Sequence, residues 1–285
     1  DAQDLEYCSA RHKLYVGKNL TRGLGTGMNP ELGAQAAEEN RSDIAELVKG
    51  ADLIFITAGM GGGTGTGASP IVADVARQSG ALTIGVVTKP FLFEGAQRSR
   101  VAEEGIQKLK EKVDALIVVP NDKIFTVIDK DTPVMKAFEK IDEVLRNAVQ
   151  GIVELITAPG IINVDFADVQ TVMQNSGTAI IGLGIASGPD RAVKAITQAI
   201  NFPLLDVNAE GAKGILLGIS GNRDLRMTEV NQAARLIMEM VDPNAKIIFG
   251  AYHDRKLKSG QMKATLIATG FTGTKPNGNN SSLFG

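Results

Sequence analysis

The chain is expected to fold as an α/β protein, a doubly wound domain joined by a long central helix to a smaller α+β domain. Three observations predict it. Short apolar runs without polar alternation recur between amphipathic stretches over 51–119, as parallel strands covered on both faces require. One long amphipathic stretch then occupies 134–156. Beyond it the rhythm of strands and helices changes.

The elements follow in order. Residues 51–58 form an apolar strand, and a glycine-dense loop leads into helical spacing over 70–78 (Ile71, Val72, Val75). A buried strand at 81–88 is stopped by Pro90. A helix at 102–113 and a strand at 115–119 complete a β-loop-α-β-α-β order. In the long stretch, Phe138, Ile141, Leu145, Val149, Ile152 and Leu155 repeat at three and four, so one stripe faces a core. Pro159 and Gly160 close that region. Then come a helix at 166–173, a strand at 179–186, a helix at 190–199, a strand at 214–220, a helix at 228–240 and a strand at 246–252. The polar turn 253–260 leads into a strand at 263–268, and two strands around one turn read as a hairpin. The organisation is therefore a first domain over 1–133, a central helix at 134–157, a second domain over 158–270 and an unstructured tail or linker at 271–285, where Gly, Asn, Ser, Thr and Pro dominate.

Composition narrows the function classes. Of 285 residues, 22% are charged and 44% hydrophobic, with a net charge of −2, so no global basic excess points to nucleic acid. The lone cysteine, Cys8, excludes an intrachain disulfide and suits a reducing compartment. No apolar run approaches the ~18 residues of a membrane span. His12 and His253 lack Cys/His ligand spacing, so no metal site is expected, and the basic clusters at 108–112 and 255–258 read as solvated faces.

The strongest local signal is Gly59-Met-Gly-Gly-Gly-Thr-Gly-Thr-Gly-Ala68, between a strand and a helix. Glycine permits positive φ and lets a bulky anion approach the amides. The helix behind it directs N–H groups and partial positive charge at that anion. Thr64 and Thr66 add hydroxyls, and the whole reads as a phosphate cradle. It lacks the Gly-Lys-[Ser/Thr] ending of a P-loop. Its 63–68 stretch fits the relaxed dinucleotide pattern, but the acidic residue that pattern wants about 20 positions on is absent from 81–93, and Glu94 comes too late. A second loop, Gly23-Leu-Gly-Thr-Gly-Met-Asn-Pro30, precedes a helix starting near Pro30. Two such loops suit a ligand with several phosphates.

These residues carry a family resemblance. Gly61-Gly-Gly-Thr-Gly-Thr-Gly67 resembles the tubulin/FtsZ signature, and the likeness extends from Asp1 to Gly270. It includes Thr88-Lys-Pro-Phe-Leu-Phe-Glu94, Pro120-Asn-Asp-Lys123, Ala148-Val-Gln-Gly-Ile152 and Asn163-Val-Asp-Phe-Ala-Asp168. The resemblance implies GTP bound by Gly23, Gly25, Gly27, Gly61, Gly62, Gly63, Thr64, Gly65, Thr66 and Gly67, with Glu94, Arg98 and Asn121 near sugar and phosphates. Phe138 and Asp142 would take the base, an aromatic face to stack on and a carboxylate to accept from N1–H and the exocyclic amine. Each has a plainer alternative: Glu94 and Arg98 as a surface i,i+4 pair, Phe138 in the core stripe, Asp142 on a solvated face. The resemblance also implies Mg²⁺ held mainly through the phosphates.

Asp165 and Asp168 lie three apart at a helix start, where an N-cap and a first-turn acid are common. The resemblance instead implies that Asn163, Asp165 and Asp168 form the catalytic loop that positions and polarises the attacking water. From residue 142 to 156 a straight helix spans roughly 21 Å, so this loop is not expected to reach the nucleotide beside Asp142. It would act on a neighbouring molecule, and that heterologous contact, repeated, builds a head-to-tail filament. The resemblance further implies a cytoplasmic component of the division ring at mid-cell, with membrane tethers and regulators as partners, no nucleic acid and no direct membrane insertion. Family members begin with a further strand and glycine loop before the segment matching Asp1, and carry a C-terminal peptide, so the chain reads as truncated at both ends. Two other readings stay open: a nucleotide-binding polymer without hydrolysis, and an NAD-type oxidoreductase.

Overall fold

The computed structural model describes residues 2–202 and 211–271. Four helices come first: α1 (Ala2–Tyr7), α2 (Lys18–Thr21), α3 (Pro30–Glu39) and α4 (Arg41–Val48). Then follow β1 (Leu53–Gly59), α5 (Thr64–Gln78), β2 (Leu82–Lys89), α6 (Ala96–Lys110), β3 (Ala115–Pro120) and α7 (Val134–Thr157). The remainder is β4 (Gly160–Ile162), α8 (Phe166–Met173), β5 (Gly177–Ser187), α9 (Arg191–Ile200), β6 (Gly214–Gly221), α10 (Met227–Met238), β7 (Lys246–His253) and β8 (Gln261–Thr269). Short 3-10 turns follow β2 (Leu92–Glu94) and β3 (Asn121–Thr126). The tail expected at 271–285 lies, apart from Phe271, outside the described residues.

The described strands form one eight-stranded sheet in the order β1-β2-β3-β5-β8-β6-β7-β4. β1, β2 and β3 are parallel neighbours, and their carboxyl ends open on the same side. Only three residue pairs, Ala115–Gly177 to Ile117–Ala179, join β3 to β5. Alternation sorts the side chains to two faces. Leu82, Ile84, Val86, Ala115 and Ile117 meet Ala148, Ile152 and Leu155 of α7 and Val169 and Met173 of α8. Val87 and Leu116 turn instead to Ala73, Ala102 and Ile106 of α5 and α6. Ile215, Leu217 and Ile219 of β6 pack against Ala195, Ile196 and Ala233 of α9 and α10.

One expectation needs correction. β7 and β8 do not form a hairpin: β8 is antiparallel to both β5 and β6, and β6 separates it from β7. β8 is buried along almost its whole length, whereas β7 starts exposed. A strand that apolar needs neighbours on both sides, and the seven-residue turn leaves room for the crossing. β1 is the edge strand of the described sheet: Ile56 packs on the α5–α6 face and Leu53 and Phe55 on the α7 face, while Thr57 and Gly59 are exposed.

The long helix is fixed to the second half of the sheet by polar contacts. Glu154 accepts from Lys263 Nζ at 2.8 Å and from Tyr252 Oη at 3.2 Å, and Asp254 shares Lys263 at 3.1 Å. Burial pushes the Tyr252 phenol up to about 12, so it stays a donor.

Candidate functional site: a two-loop anion cradle at the carboxyl ends of three strands

The glycine run does not end where helical spacing begins. α5 starts at Thr64, so residues 64–67 are its first turn, and Gly67 N–H bonds back to Gly63 O at 2.9 Å. The amides before that bond have no intrahelical acceptor and face the loop. Gly61 takes φ of +100°, and its N–H donates to Thr66 Oγ1 at 2.9 Å. Thr66 is buried and Thr64 exposed. The two threonines expected to act alike therefore differ: Thr64 offers its hydroxyl to the loop, while the Thr66 hydroxyl holds the loop's shape.

The glycines divide in the same way. A Cβ on Gly67 would lie 1.9 Å from Pro30 O, and one on Gly33 2.4 Å from Gly63 O, so they permit the close approach of α3 to α5. A Cβ on Gly65 would lie 2.7 Å from Gly59 O, and one on Gly63 2.0 Å from Thr26 Oγ1. Beside Gly62, Gly25 and Gly27 nothing lies within 4 Å. These three border open space.

The second loop reaches the first. Gly23, Gly25 and Gly27 all adopt positive φ, and Thr26 between them bonds Thr64 Oγ1 at 3.1 Å. Asn29 Oδ1 caps α3 by accepting from Glu31 and Leu32 N–H. Both loops and two helix N-termini thus converge on one region.

The ends of β2 and β3 supply the flank. Glu94 Oε1 accepts from Phe91 N–H at 2.9 Å, and its other oxygen meets Arg98 Nη1 at 2.7 Å. Gly95 at φ +100° turns the chain between them. Arg98 runs beside Gly61, whose Cβ would stand 2.9 Å from Arg98 O. Arg98 Nε and Asn121 Oδ1 are both buried without a hydrogen-bond partner. A buried polar atom left unpaired costs about 1–3 kcal/mol, so two of them flanking the cradle fit a ligand that pairs with them.

Phe138 departs from the core-stripe alternative. It is 46% exposed, and the buried face of α7 runs instead through Ala137, Ile141, Ala148, Gly151, Ile152 and Leu155. Phe138 meets the edge of Phe91 at 5.6 Å, and Phe91 stacks on Phe93 at 4.8 Å and tilts against Phe125 at 5.7 Å. Asp142, one turn on, is also exposed. Sequence reasoning assigned no role to Phe91, Phe93 or Phe125. The signal available was Phe-Leu-Phe directly after Pro90, where the chain leaves the sheet.

Asn163, Asp165 and Asp168 lie elsewhere. All three are exposed at the start of α8. Asp168 Oδ2 accepts from Asp165 N–H at 3.2 Å, and Asn163 Oδ1 accepts from Gly160 N–H at 2.9 Å. In the single subunit they have the geometry of a helix start. The loop continues from β4, the edge strand opposite β1, seven inter-strand spacings away. At ~4.8 Å each, that is about 34 Å along the sheet. The 24 residues of α7 span a similar ~36 Å.

No group of three or more His, Cys, Asp or Glu among the described residues could hold a metal. A cleft of about 810 Å³ lies away from the cradle at the N-termini of α9 and α10. There the buried Arg191 guanidinium bonds Glu229 at 2.7 and 2.9 Å and Asp224 at 2.8 Å. Those bonds engage the guanidinium internally.

Comparison with known proteins gives two family matches. Residues 1–129 match the tubulin/FtsZ family GTPase domain, and residues 177–272 match the C-terminal domain of the FtsZ family. Among solved structures, an empty FtsZ dimer from M. jannaschii is 46% identical, with a TM-score of 0.89 over 95% of this chain and 78% of that one. GDP-bound CetZ1 from Haloferax volcanii is 21% identical, with a TM-score of 0.76 over 90% and 78%. A GTPγS-bound CetZ2 protofilament from the same organism is 22% identical, at 0.76 over 93% and 80%. The two CetZ structures share the fold.

Proposed function

The chain belongs to the tubulin/FtsZ family and is a GTPase, and from that premise we propose that it assembles head to tail, each subunit's acidic loop completing the neighbour's active site. Phosphates lie on the amides of 64–66 and against the open flanks of Gly62, Gly25 and Gly27. Arg98 and Asn121, each with a buried unpaired atom that supports the role, serve the phosphate and sugar side. Guanine stacks on exposed Phe138 and donates to Asp142.

The proposed chemistry is attack of water on the γ-phosphate. Amides at the start of α5 stabilise charge as it develops on the phosphoryl oxygens. Asp165 and Asp168 of the next subunit orient and polarise the water. Bound Mg²⁺ supplies charge neutralisation on the phosphates. The observation that carries this reading is the separation of cradle and acids to opposite edges of the sheet, about 34 Å apart. A group must come within about 3 Å of a proton to transfer it, so one rigid subunit does not bring the two sets together. A dimer and a protofilament among the similar structures support self-association. The cellular role we propose is that of a cytoplasmic filament in the division ring.

Turnover against protein concentration tests it. A composite site gives a threshold below which GTP hydrolysis per subunit nearly vanishes. Asp165→Ala and Asp168→Ala should bind GTP with unchanged affinity and lose turnover by about 100-fold or more. Normal hydrolysis by either variant would end the composite-site reading.

A further inference from the structure

The acidic loop is exposed, yet the helix that carries it is held firmly at its other end. α8 is eight residues long, and Val169, Val172 and Met173 bury it against the sheet. Past its last turn the chain makes an abrupt change: Asn175 takes φ of +53°, rare for a non-glycine residue. Asn175 N–H donates to Asp114 Oδ1 at 3.3 Å, and Gly177 N–H donates to Asp114 O at 3.0 Å. Asp114 is 5% exposed, and its other carboxylate oxygen accepts from Thr83 N–H at 2.9 Å. One buried carboxylate therefore joins the amino ends of β2 and β3 to the carboxyl end of α8.

A second helix reaches the same point. Arg77, in the last turn of α5, donates through Nη2 to Asn175 Oδ1 at 2.9 Å. The same α5 begins at Thr64, in the phosphate cradle. About 20 Å of α5 and about 12 Å of α8 thus meet end to end at Asn175. Direct sheet bonding between the two halves here amounts to three residue pairs, so this junction adds directional contacts to the apolar packing that holds α8 on β2 and β3.

We propose that Asp114, Arg77 and Asn175 are positioning residues for hydrolysis: they set the placement of α8, and through it where Asp165 and Asp168 reach the next subunit's nucleotide. The inference rests on the composite-site reading above. None of the three residues belongs to the cradle, and they hold the carboxyl end of α8, while β4 on β7 and the core residues Val164 and Phe166 hold its acidic end. Loosening the anchor tilts the helix and displaces the carboxylates with no direct effect on the cradle. A displacement of 1 Å at a reacting group can cost up to ~100-fold in rate.

The test compares Arg77→Ala, Asn175→Gly and their double variant with the unaltered full chain. Asn175→Gly keeps the positive φ and the backbone N–H bond to Asp114 while removing the side chain that accepts from Arg77. Three quantities are measured: affinity of isolated subunits for a fluorescent GTP analogue, polymer mass by sedimentation, and turnover per sedimented subunit. Affinity and polymer mass should stay within about twofold. Turnover per polymerised subunit should fall by about threefold to tenfold in the two single variants. The double variant should be no slower than the slower single one, and Arg77→Lys should recover part of the loss. Unchanged turnover in both single variants would overturn the proposal. So would a parallel loss of affinity or polymer mass, which marks a purely structural seam. Asp168→Ala in the same assay separates the two readings. If it has lost turnover while the junction variants have not, only the positioning role fails; if Asp168→Ala itself turns over normally, both fall.

Discussion

Substituting Gly67 with alanine sets helix propensity against packing. Alanine is favoured over glycine inside a helix by about 1 kcal/mol, so propensity alone predicts a gain in stability. The packing of α3 on α5 predicts the reverse. The new Cβ would stand 1.9 Å from Pro30 O, 2.7 Å from Ala34 N and 2.8 Å from Pro30 C. Those atoms are backbone, so no rotamer change relieves them. Restoring ordinary contact at about 3.4 Å requires α3 to retreat by roughly 1.5 Å. Sliding gives no escape, because Gly33 already faces Gly63 O with no room for a Cβ. Overpacking costs about 1–3 kcal/mol, and separating the helices also breaks the Thr26–Thr64 bond, worth about 1 kcal/mol. The net is a destabilisation of about 1–3 kcal/mol and a second phosphate loop drawn away from the first. Thermal unfolding and binding of a fluorescent GTP analogue read the two effects. Gly67→Ala should melt several degrees lower and bind at least about tenfold more weakly. Gly62→Ala, with open space around it, should keep the melting temperature and lose affinity alone. A Gly67→Ala chain as stable as the original, with normal affinity, would refute the packing argument.

Two further outcomes follow from the same geometry. Phe138→Ala should weaken GTP binding by about 1–3 kcal/mol, the worth of an aromatic–base stack, and barely move the melting temperature, since the ring is 46% exposed; nucleotide titration beside a melting curve checks it. At the α9–α10 cleft, the Arg191 hydrogen bonds hold Glu229 below the usual carboxylate range, while Gly260 N–H and then Arg191 do so for Asp224. Depressed folded-state values mean stabilisation that is complete above the unfolded value near 4 and is lost as pH falls through the lower folded value. Arg191→Met should therefore cost on the order of 3 kcal/mol at neutral pH, less than a fully buried triad because Asp224 is partly solvated, and should flatten the acid limb of the stability curve. Denaturant titrations between pH 3 and 7 measure both.

Much of the architecture was readable because it depended on local patterns. α8 covers the expected 166–173, and α7 fills the amphipathic stretch expected at 134–156. Where chain-distant partners decided, the reading failed. β8 lies between β5 and β6 because its burial needs two neighbours, and a turn between sequential strands conveys nothing of a third. α5 starts six residues before the helical spacing suggested, since glycine propensity is overridden by the close approach of α3. The site was legible as a motif, but the roles within it were not. Side-by-side glycines serve packing or ligand according to neighbours far along the chain, and Phe138 fits an apolar stripe in sequence while standing outside it in space.

The central claim is that cradle and acids act from different subunits, and mixing two crippled chains tests it most directly. One chain carries Asp142→Ala to weaken its base pocket, the other Asp168→Ala to disable its acidic loop, and each alone should hydrolyse GTP poorly. In a mixed filament, a subunit with an intact cradle regularly meets a neighbour with an intact loop. The account predicts that an equal mixture recovers up to about a quarter of the normal rate, the chance of that pairing between random neighbours. A mixture no faster than the average of its two components, with both chains present in the same polymer, would contradict it.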